Sequence, residues 1–473
     1  MYGIYIDRNS SLPVTRQLCH QLRERIESGQ LAAGTRLLPT RVLAKEWGIA
    51  RNVVIEVYEQ LTAEGYLDCR VGSGTYVADG IMPNAAARVH QVPAKMEPAI
   101  TSPASPDRTI IDFATGIPDL ARFPGKSWAK YLKEATESSP HDYNYGDVKG
   151  SPSLRLALRD YLFRSKGISC SADQLFIVSG ASEGFLLLAK ALSAQFNSIY
   201  IEDPTIDITR DIFRMMNYSL VPVQVDSNGM QVDAIRTFLP GHLLLLTPSH
   251  QFPSGSLMPI QRRHQAIRMV EEADAYVIED DYDSEFRLKG IPVPPLQTLS
   301  PSRVIYVGTF SKTLSPSLRI GFLIVPPSLI DTITLAKDRL NLHTPAVIQK
   351  ALAAFIQDGQ LERHIHTMKK VYKKRRNLLT ERLAQAFGDR ISITGDEAGM
   401  HLQVLFHHER HIELPWNDTS AFGFRVERSD DYRIADRNPE GGIVLGYGNL
   451  TSEQITEGVC RIHRFVSAFD DSM

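Results

Sequence analysis

Five short apolar runs in the large C-terminal part of the chain each break into polar residues on their C-terminal side. Leu175 to Val178 runs into Ser179-Gly180-Ala181-Ser182, and Ile199 to Ile201 into Glu202-Asp203-Pro204. Leu243 to Leu246 runs into Thr247-Pro248-Ser249-His250-Gln251, Tyr276 to Ile278 into Glu279-Asp280-Asp281-Tyr282, and Val304 to Val307 into Gly308-Thr309-Phe310-Ser311-Lys312. Strand-length apolar runs that alternate with helical segments predict an α/β unit with a mainly parallel sheet. A sheet of this kind binds its ligand at the carboxyl ends of its strands. The five runs therefore deliver their polar residues to one edge.

The polar residues suit one chemistry. After the run ending at Val307 come small hydroxyl residues, one lysine, Pro316, an arginine seven positions beyond the lysine, and Gly321. A Lys312 amine can form a Schiff base with the aldehyde of pyridoxal 5'-phosphate, while Arg319 grips the phosphate as a bidentate fork and the Thr309 and Ser311 hydroxyls assist. Gly180, Ala181 and Ser182 open a helix whose bare N–H groups attract a phosphate, although an ordinary cap would also explain Ser182. Asp280 can pair with the pyridine nitrogen and Tyr282 can donate to the ring hydroxyl; alternation leaves Asp281 as a rival to Asp280. Upstream, Tyr145 in Tyr143-Asn144-Tyr145-Gly146-Asp147 is a candidate to reach the phosphate, or a packed turn aromatic.

A second unit precedes this one. Leu18, Leu22 and Ile26 predict a helix from about Val14 to Ser28, and Thr40 stands where it can cap a helix carrying Val42, Leu43 and Trp47. A third helix from Arg51 buries Val54, Val57, Tyr58 and Leu61, and two short strands around Arg70-Val71-Gly72-Ser73-Gly74 complete a wing. In a winged helix-turn-helix the third helix enters the major groove, which makes Arg51 and Asn52 base-edge readers. Arg36, Arg41 and Arg70 then face phosphate, with Gly72 and Gly74 in the wing. Glu46, Glu56, Glu59, Glu64 and Asp68 nearly balance these cations, so a module for protein contact stays open.

Between the two units, residues 79 to 108 are rich in Pro and Ala without helical or strand period, the mark of an extended linker. The expected boundaries are thus 1–78 for the winged helix, 79–108 for the linker and 109–473 for the α/β unit, whose large part reaches about residue 345. Four scattered cysteines without a Cys-x-x-Cys pair argue against a zinc or disulfide framework, and no metal site is expected. No signal peptide or membrane-length apolar run is evident, so a cytoplasmic protein is expected. The basic cluster Lys369, Lys370, Lys373, Lys374, Arg375 and Arg376 reads as a solvated helix face.

Pro13 to Val77 resembles the GntR-type winged helix through Leu37-Leu38-Pro39-Thr40-Arg41, Ala50-Arg51-Asn52-Val53-Val54, Glu64-Gly65-Tyr66-Leu67 and Gly72-Ser73-Gly74-Thr75-Tyr76-Val77. From about Asp112 onward the chain resembles the fold-type I aminotransferases. The fusion resembles the MocR/GabR subfamily of transcriptional regulators, above all in Ser249-His250-Gln251-Phe252-Pro253-Ser254-Gly255 and Glu279-Asp280-Asp281-Tyr282-Asp283-Ser284-Glu285-Phe286. That resemblance implies a cofactor-binding role for Gln251, a small domain made from the end of the chain, and a homodimer with sites at the subunit interface. Two departures stand out. Ile206 follows Asp203-Pro204-Thr205 where an aromatic is common, and Gly442-Ile443-Val444 lacks the arginine that commonly receives a substrate carboxylate, leaving Arg210, Arg425 and Arg433 as other sources.

The expectation is a pyridoxal-phosphate-dependent regulator that binds operator DNA. It would sense an amine-bearing effector through an external aldimine, or sense the cofactor itself. A working aminotransferase with a DNA-binding module is the alternative.

Overall fold

The computed structural model describes residues 2–8, 10, 12–70, 73–80, 110–137, 143–291, 293–435 and 441–470. The chain divides into two compact units, Met1–Ser105 and Pro106–Met473. Gly72 and all but the first two residues of the Pro- and Ala-rich stretch 79–108 lie outside the described residues.

The first unit contains α1 (Val14–Glu27), α2 (Thr40–Trp47), α3 (Arg51–Ala63), β1 (Leu67–Arg70) and β2 (Gly74–Val77). Leu18, Leu22, Ile26, Leu43, Val54, Val57, Leu61, Leu67 and Val77 fill one core. The helical spacing of these residues aims all three helices inward. Gly48 and Gly65 have φ of +63° and +81°, the left-handed geometry that stops a helix without the clash a Cβ would bring. The hairpin pairs Leu67 with Val77 and Arg70 with Gly74, antiparallel. Thr40 does not cap α2: Pro39 precedes the helix with φ already fixed at −53°, Thr40 is its first residue, and its Oγ1 accepts from Arg51 Nε at 3.3 Å.

The second unit is built on an eight-stranded sheet. Its strands are β3 (Leu175–Val178), β4 (Ser198–Asp203), β5 (Ser219–Asp226), β6 (Gly229–Met230), β7 (His242–Leu246), β8 (Tyr276–Asp281), β9 (Val304–Thr309) and β10 (Gly321–Ile324), in spatial order β3-β10-β9-β8-β7-β4-β5-β6. From β9 across to β5 every pairing is parallel. β10 is antiparallel to both β9 and β3, so β3 runs with β9. All five apolar runs thus end at the same edge.

Their residues are buried on both faces. Leu175 and Ile177 enter one core and Phe176 and Val178 the other, the alternation of period two expected of an interior strand. A four-stranded antiparallel sheet, β11 (Ile391–Thr394), β12 (His401–Phe406), β13 (Glu427–Arg428) and β14 (Gly442–Gly446), forms the smaller part with the helices Gln360–Phe387 and Ser452–Asp470. Two of the six residues expected on a solvated basic face are instead structural. Arg375 and Arg376 are buried and meet Asp119 at 2.6 Å and Asp396 at 3.0 Å, because the long helix packs against the rest of the unit along that side.

Candidate functional site

A cavity of about 320 Å³ lies at the strand-end edge. It brings together Ala181, Ser182, Asp280, Tyr282, Thr309, Ser311, Lys312 and Arg319, which come from four different strand ends. Lys312 is half-buried, and its Nζ donates to the Gly116 carbonyl at 2.9 Å. Burial pulls its pKa below the ordinary lysine value, against the opposing pull of Asp283 and Asp280. A depressed lysine is a better amine nucleophile, since more of it is unprotonated near neutrality.

The opposite pole is lined by carboxyl groups. Burial, with Asp281 and Glu202 nearby, pushes the Asp280 carboxyl up to about 8. Its neighbour faces the other way, as the pleat of β8 requires. Asp281 accepts from Lys166 Nζ at 2.9 Å and from Tyr306 Oη at 2.6 Å; burial opposes its charge, but Lys166 and these bonds hold its pKa below the usual carboxylate value. Only Asp280 of the two lines the cavity. Behind it, Tyr282 Oη donates to the His250 carbonyl at 2.9 Å, and His250 Nδ1 sits 3.0 Å from Asp283.

At the other end stands Arg319, with a left-handed φ of +49°. One guanidinium nitrogen donates to the Ser179 carbonyl at 2.8 Å. Gly180 stands beside it with φ +92°; a Cβ there would lie 2.7 Å from the guanidinium, so glycine is what allows this approach. The helix Ala181–Leu192 begins at this point with its N–H groups toward the cavity end. Ser311 N donates to Thr309 Oγ1 at 3.1 Å, which fixes the hydroxyl-bearing turn before Lys312.

Other expected residues are placed elsewhere. Gln251 is buried outside the lining: its Nε2 donates to the Pro204 carbonyl at 2.8 Å and its Oε1 accepts from Ser254, so the amide ties two loops together. Tyr145 is 80% exposed, its ring edge-on to His343 at 6.0 Å, outside the cavity of its own chain. Arg210 meets Asp211 at 2.9 Å, Arg433 meets Asp430 at 3.1 Å, and Arg425 is exposed; none lines the cavity. Ile206 does line it, packed with Phe252, Tyr282, Tyr432 and Val444.

Sequence reasoning missed Gly116, Met400, His401 and Tyr432. His401 is buried, its ring centroid 4.8 Å from that of His250, and burial followed by His250 lowers its pKa well below the usual value. These four come from the start of the unit and from the small sheet, and no local pattern marks them.

In the first unit Arg36, Arg41, Arg51, Asn52 and Arg70 are all exposed. Arg36 and Arg70 lie over the Tyr76 ring at 5.9 and 4.7 Å, which stiffens the wing, and a Cβ on Gly74 would lie 3.0 Å from Arg36 Nε.

Comparison with known proteins agrees with this architecture. Residues 108–422 match the family "Aminotransferase class I and II", and residues 14–77 match "Bacterial regulatory proteins, gntR family". The chain is 35% identical to the probable rhizopine catabolism regulatory protein MocR of Rhizobium meliloti, over 99% of this chain and 97% of that one. It is 29% identical to the pyridoxine biosynthesis transcriptional regulator PdxR of Corynebacterium glutamicum, over 98% of each. Among solved structures, the multiple substrate aminotransferase of Thermococcus profundus superposes with a TM-score of 0.70 at 26% identity, covering 77% of this chain and 93% of that one. The chain belongs to the MocR-type transcriptional regulators, in which a GntR-type winged helix is joined to an aminotransferase class I and II domain. Among the described residues, no helix is long and apolar enough to cross a membrane.

Proposed function

We propose that this regulator holds pyridoxal 5'-phosphate in the 320 Å³ cavity and changes its hold on operator DNA when an amine-bearing effector reaches Lys312. Residues 1–78 would serve DNA and residues 109–473 the cofactor and effector. The observation that carries the reading is one cavity with a half-buried lysine of lowered pKa, a buried carboxyl of raised pKa and an arginine at a helix start. These are the three groups that such a cofactor asks for.

The residues fit the cofactor. Asp280 is a buried carboxyl whose charge is poorly compensated, and a protonated ring nitrogen would relieve it. Arg319, the Ser182 and Ser311 hydroxyls and the start of the helix Ala181–Leu192 would hold the phosphate. Tyr282 is positioned by its bond to the His250 carbonyl and presents its ring to the same cavity. When bound, pyridoxal phosphate supplies an aldehyde that amines condense with. Lys312 would present its amine to that aldehyde, and the Gly116 carbonyl accepts a hydrogen bond from the same amine at 2.9 Å. Ile206, Phe252 and Tyr432 exclude water from one wall. Exposed Tyr145 is available to a second copy of the chain, in keeping with a homodimer.

Two relatives bracket the signal. One is named for rhizopine catabolism and one for pyridoxine biosynthesis, so a small-molecule amine and the cofactor itself are the two candidate classes here. Reconstitution with pyridoxal phosphate should give a visible absorption band in the wild type that Lys312→Ala abolishes. A band that survives the substitution contradicts the role of Lys312. Sustained amino-group turnover with keto-acid acceptors at ordinary enzymatic rates would instead favour a working aminotransferase.

A further inference from the structure

Behind the wall of the cofactor cavity is a second one, of about 520 Å³. The segment Asp280 to Glu285 separates them: Asp280, Tyr282 and Asp283 face the first cavity, while Ser284 and Glu285 face the second. Lys166, at the end of the helix Pro152–Lys166, forms its floor and reaches Asp281 and Glu285, each at 2.9 Å. Along the long helix, Glu362, Ile365, His366 and Lys369 recur at i, i+3, i+4 and i+7, so a single helix face makes one side.

The charges are unequally paired. Lys166 is held at the floor by Asp281 and Glu285, whereas Lys369 stands on the facing helix. Glu362 pairs outward with Arg164 at 2.8 Å. Among the described residues Arg287 pairs with the exposed Glu397 at 3.4 Å, and its Nε is buried with no hydrogen-bond partner. Ser249 Oγ, also lining the cavity, is buried and unpartnered too. A buried donor without an acceptor is destabilising, a cost that a bound acceptor removes. The same cavity has an apolar lining of Ile291, 83% exposed, Val293, Pro294 and Ile365. Cations with an open donor, sharing a cavity with an apolar lining, fit a small anion with an apolar body.

We propose that this second cavity binds an organic monocarboxylate of compact apolar body, its carboxylate on Arg287 and Lys369, and that its occupancy is felt in the cofactor cavity through Asp280 to Glu285. The binding part stands on the second cavity alone; the coupling part rests on the cofactor reading. Coupling has a direct route. The ligand's negative charge beside Lys369 and Lys166 alters how strongly Lys166 holds Asp281, and Asp281 is the adjacent residue to Asp280 on one strand.

Calorimetric titration of full-length protein with 2-naphthoate tests the binding part. Expected are saturable binding to wild type and to Lys312→Ala alike, and about tenfold weaker binding in Arg287→Met/Lys369→Met and for neutral 2-naphthamide. Val293→Asp, placed in the apolar lining, should weaken binding as well, with the melting temperature of each variant certifying its fold. Absence of binding in wild type, binding indifferent to these variants, or loss of binding in Lys312→Ala overturns the site. Equal displacement by inorganic phosphate overturns the choice of an amphiphilic ligand. In protein loaded with pyridoxal phosphate, 2-naphthoate should shift the pH midpoint of the visible band by about half a unit, and no shift overturns the coupling. If no band forms at all, the cofactor reading fails while calorimetry still decides the second site.

Discussion

Asp280 and Gly180 show at the level of single residues how the site is favoured over stability. In the cofactor-free protein the Asp280 carboxyl is raised from an ordinary 3.8 to about 8, so its contribution to stability is full below about pH 4 and lost as pH rises toward 8. Asp280→Asn should therefore melt higher than wild type at pH 8, by an amount on the order of a few kcal/mol, with the gap closing toward pH 4. The same variant should bind pyridoxal phosphate more weakly; thermal melts with and without cofactor check both halves. Gly180→Ala combines a strained φ of +92° with a Cβ 2.7 Å from the Arg319 guanidinium. Cofactor affinity, followed by fluorescence quenching, should fall about tenfold or more as the guanidinium is displaced. Lys312 and Arg319 were legible in the sequence because a fixed offset holds them on one turn. Asp280 and Asp281 were not separable there, since two adjacent carboxyls look alike until the pleat of a strand sends one toward Lys312 and the other toward Lys166. His401 and Tyr432 left no signal, as tertiary packing alone brings them to the cavity.

Among elements, α3 and the long helix Gln360–Phe387 make contrasting demands. Arg51 at the start of α3 is exposed and, among the described residues, bonded to Thr40 at 3.3 Å, which leaves most of its guanidinium accessible. If it reads a guanine, Arg51→Ala weakens operator binding by about 1–3 kcal/mol and relaxes choice at that base, as a mobility-shift comparison of single-base variants would show. Uniform weakening on every sequence would instead assign it to phosphate. Arg375 belongs to structure: its guanidinium meets Asp119 at 2.6 Å, and Asp119 N donates to Tyr372 Oη at 3.0 Å. Arg375→Ala should cost about 1.5–3 kcal/mol in denaturant melts, because it removes the shorter of two guanidinium partners from buried Asp119 and leaves Arg122 at 3.3 Å. The five apolar runs were readable as strands because strands covered on both faces must be apolar throughout, whereas the parallel strand β5, with its partly exposed residues, was not read. β10 and the small antiparallel sheet were not read as elements, since their lengths and partners are set by long-range pairing rather than by local pattern. The basic run before Arg376 was misread for a related reason: helical spacing shows which residues share a face, while only packing decides that Arg375 and Arg376 face inward.

Across the whole molecule, a DNA-reading unit and an enzyme-like unit are joined by a stretch rich in proline. An effector regulates only if its binding differs between at least two arrangements of the protein. Under the proposed function, Lys312 would supply such a difference, engaged with the cofactor in one arrangement and bonded to the Gly116 carbonyl in the other. A tenfold change in operator affinity requires a coupling of about 1.4 kcal/mol, well within the energy of one buried charge rearranged. The decisive measurement is operator affinity of full-length, pyridoxal-phosphate-loaded protein during titration with a panel of small amines, with the visible band followed in the same samples. At least one amine should change band and affinity together, over the same concentration range, in wild type and not in Lys312→Ala. Amines that change the band while operator affinity stays constant, or that change affinity equally in Lys312→Ala, would contradict a regulator that senses through this site.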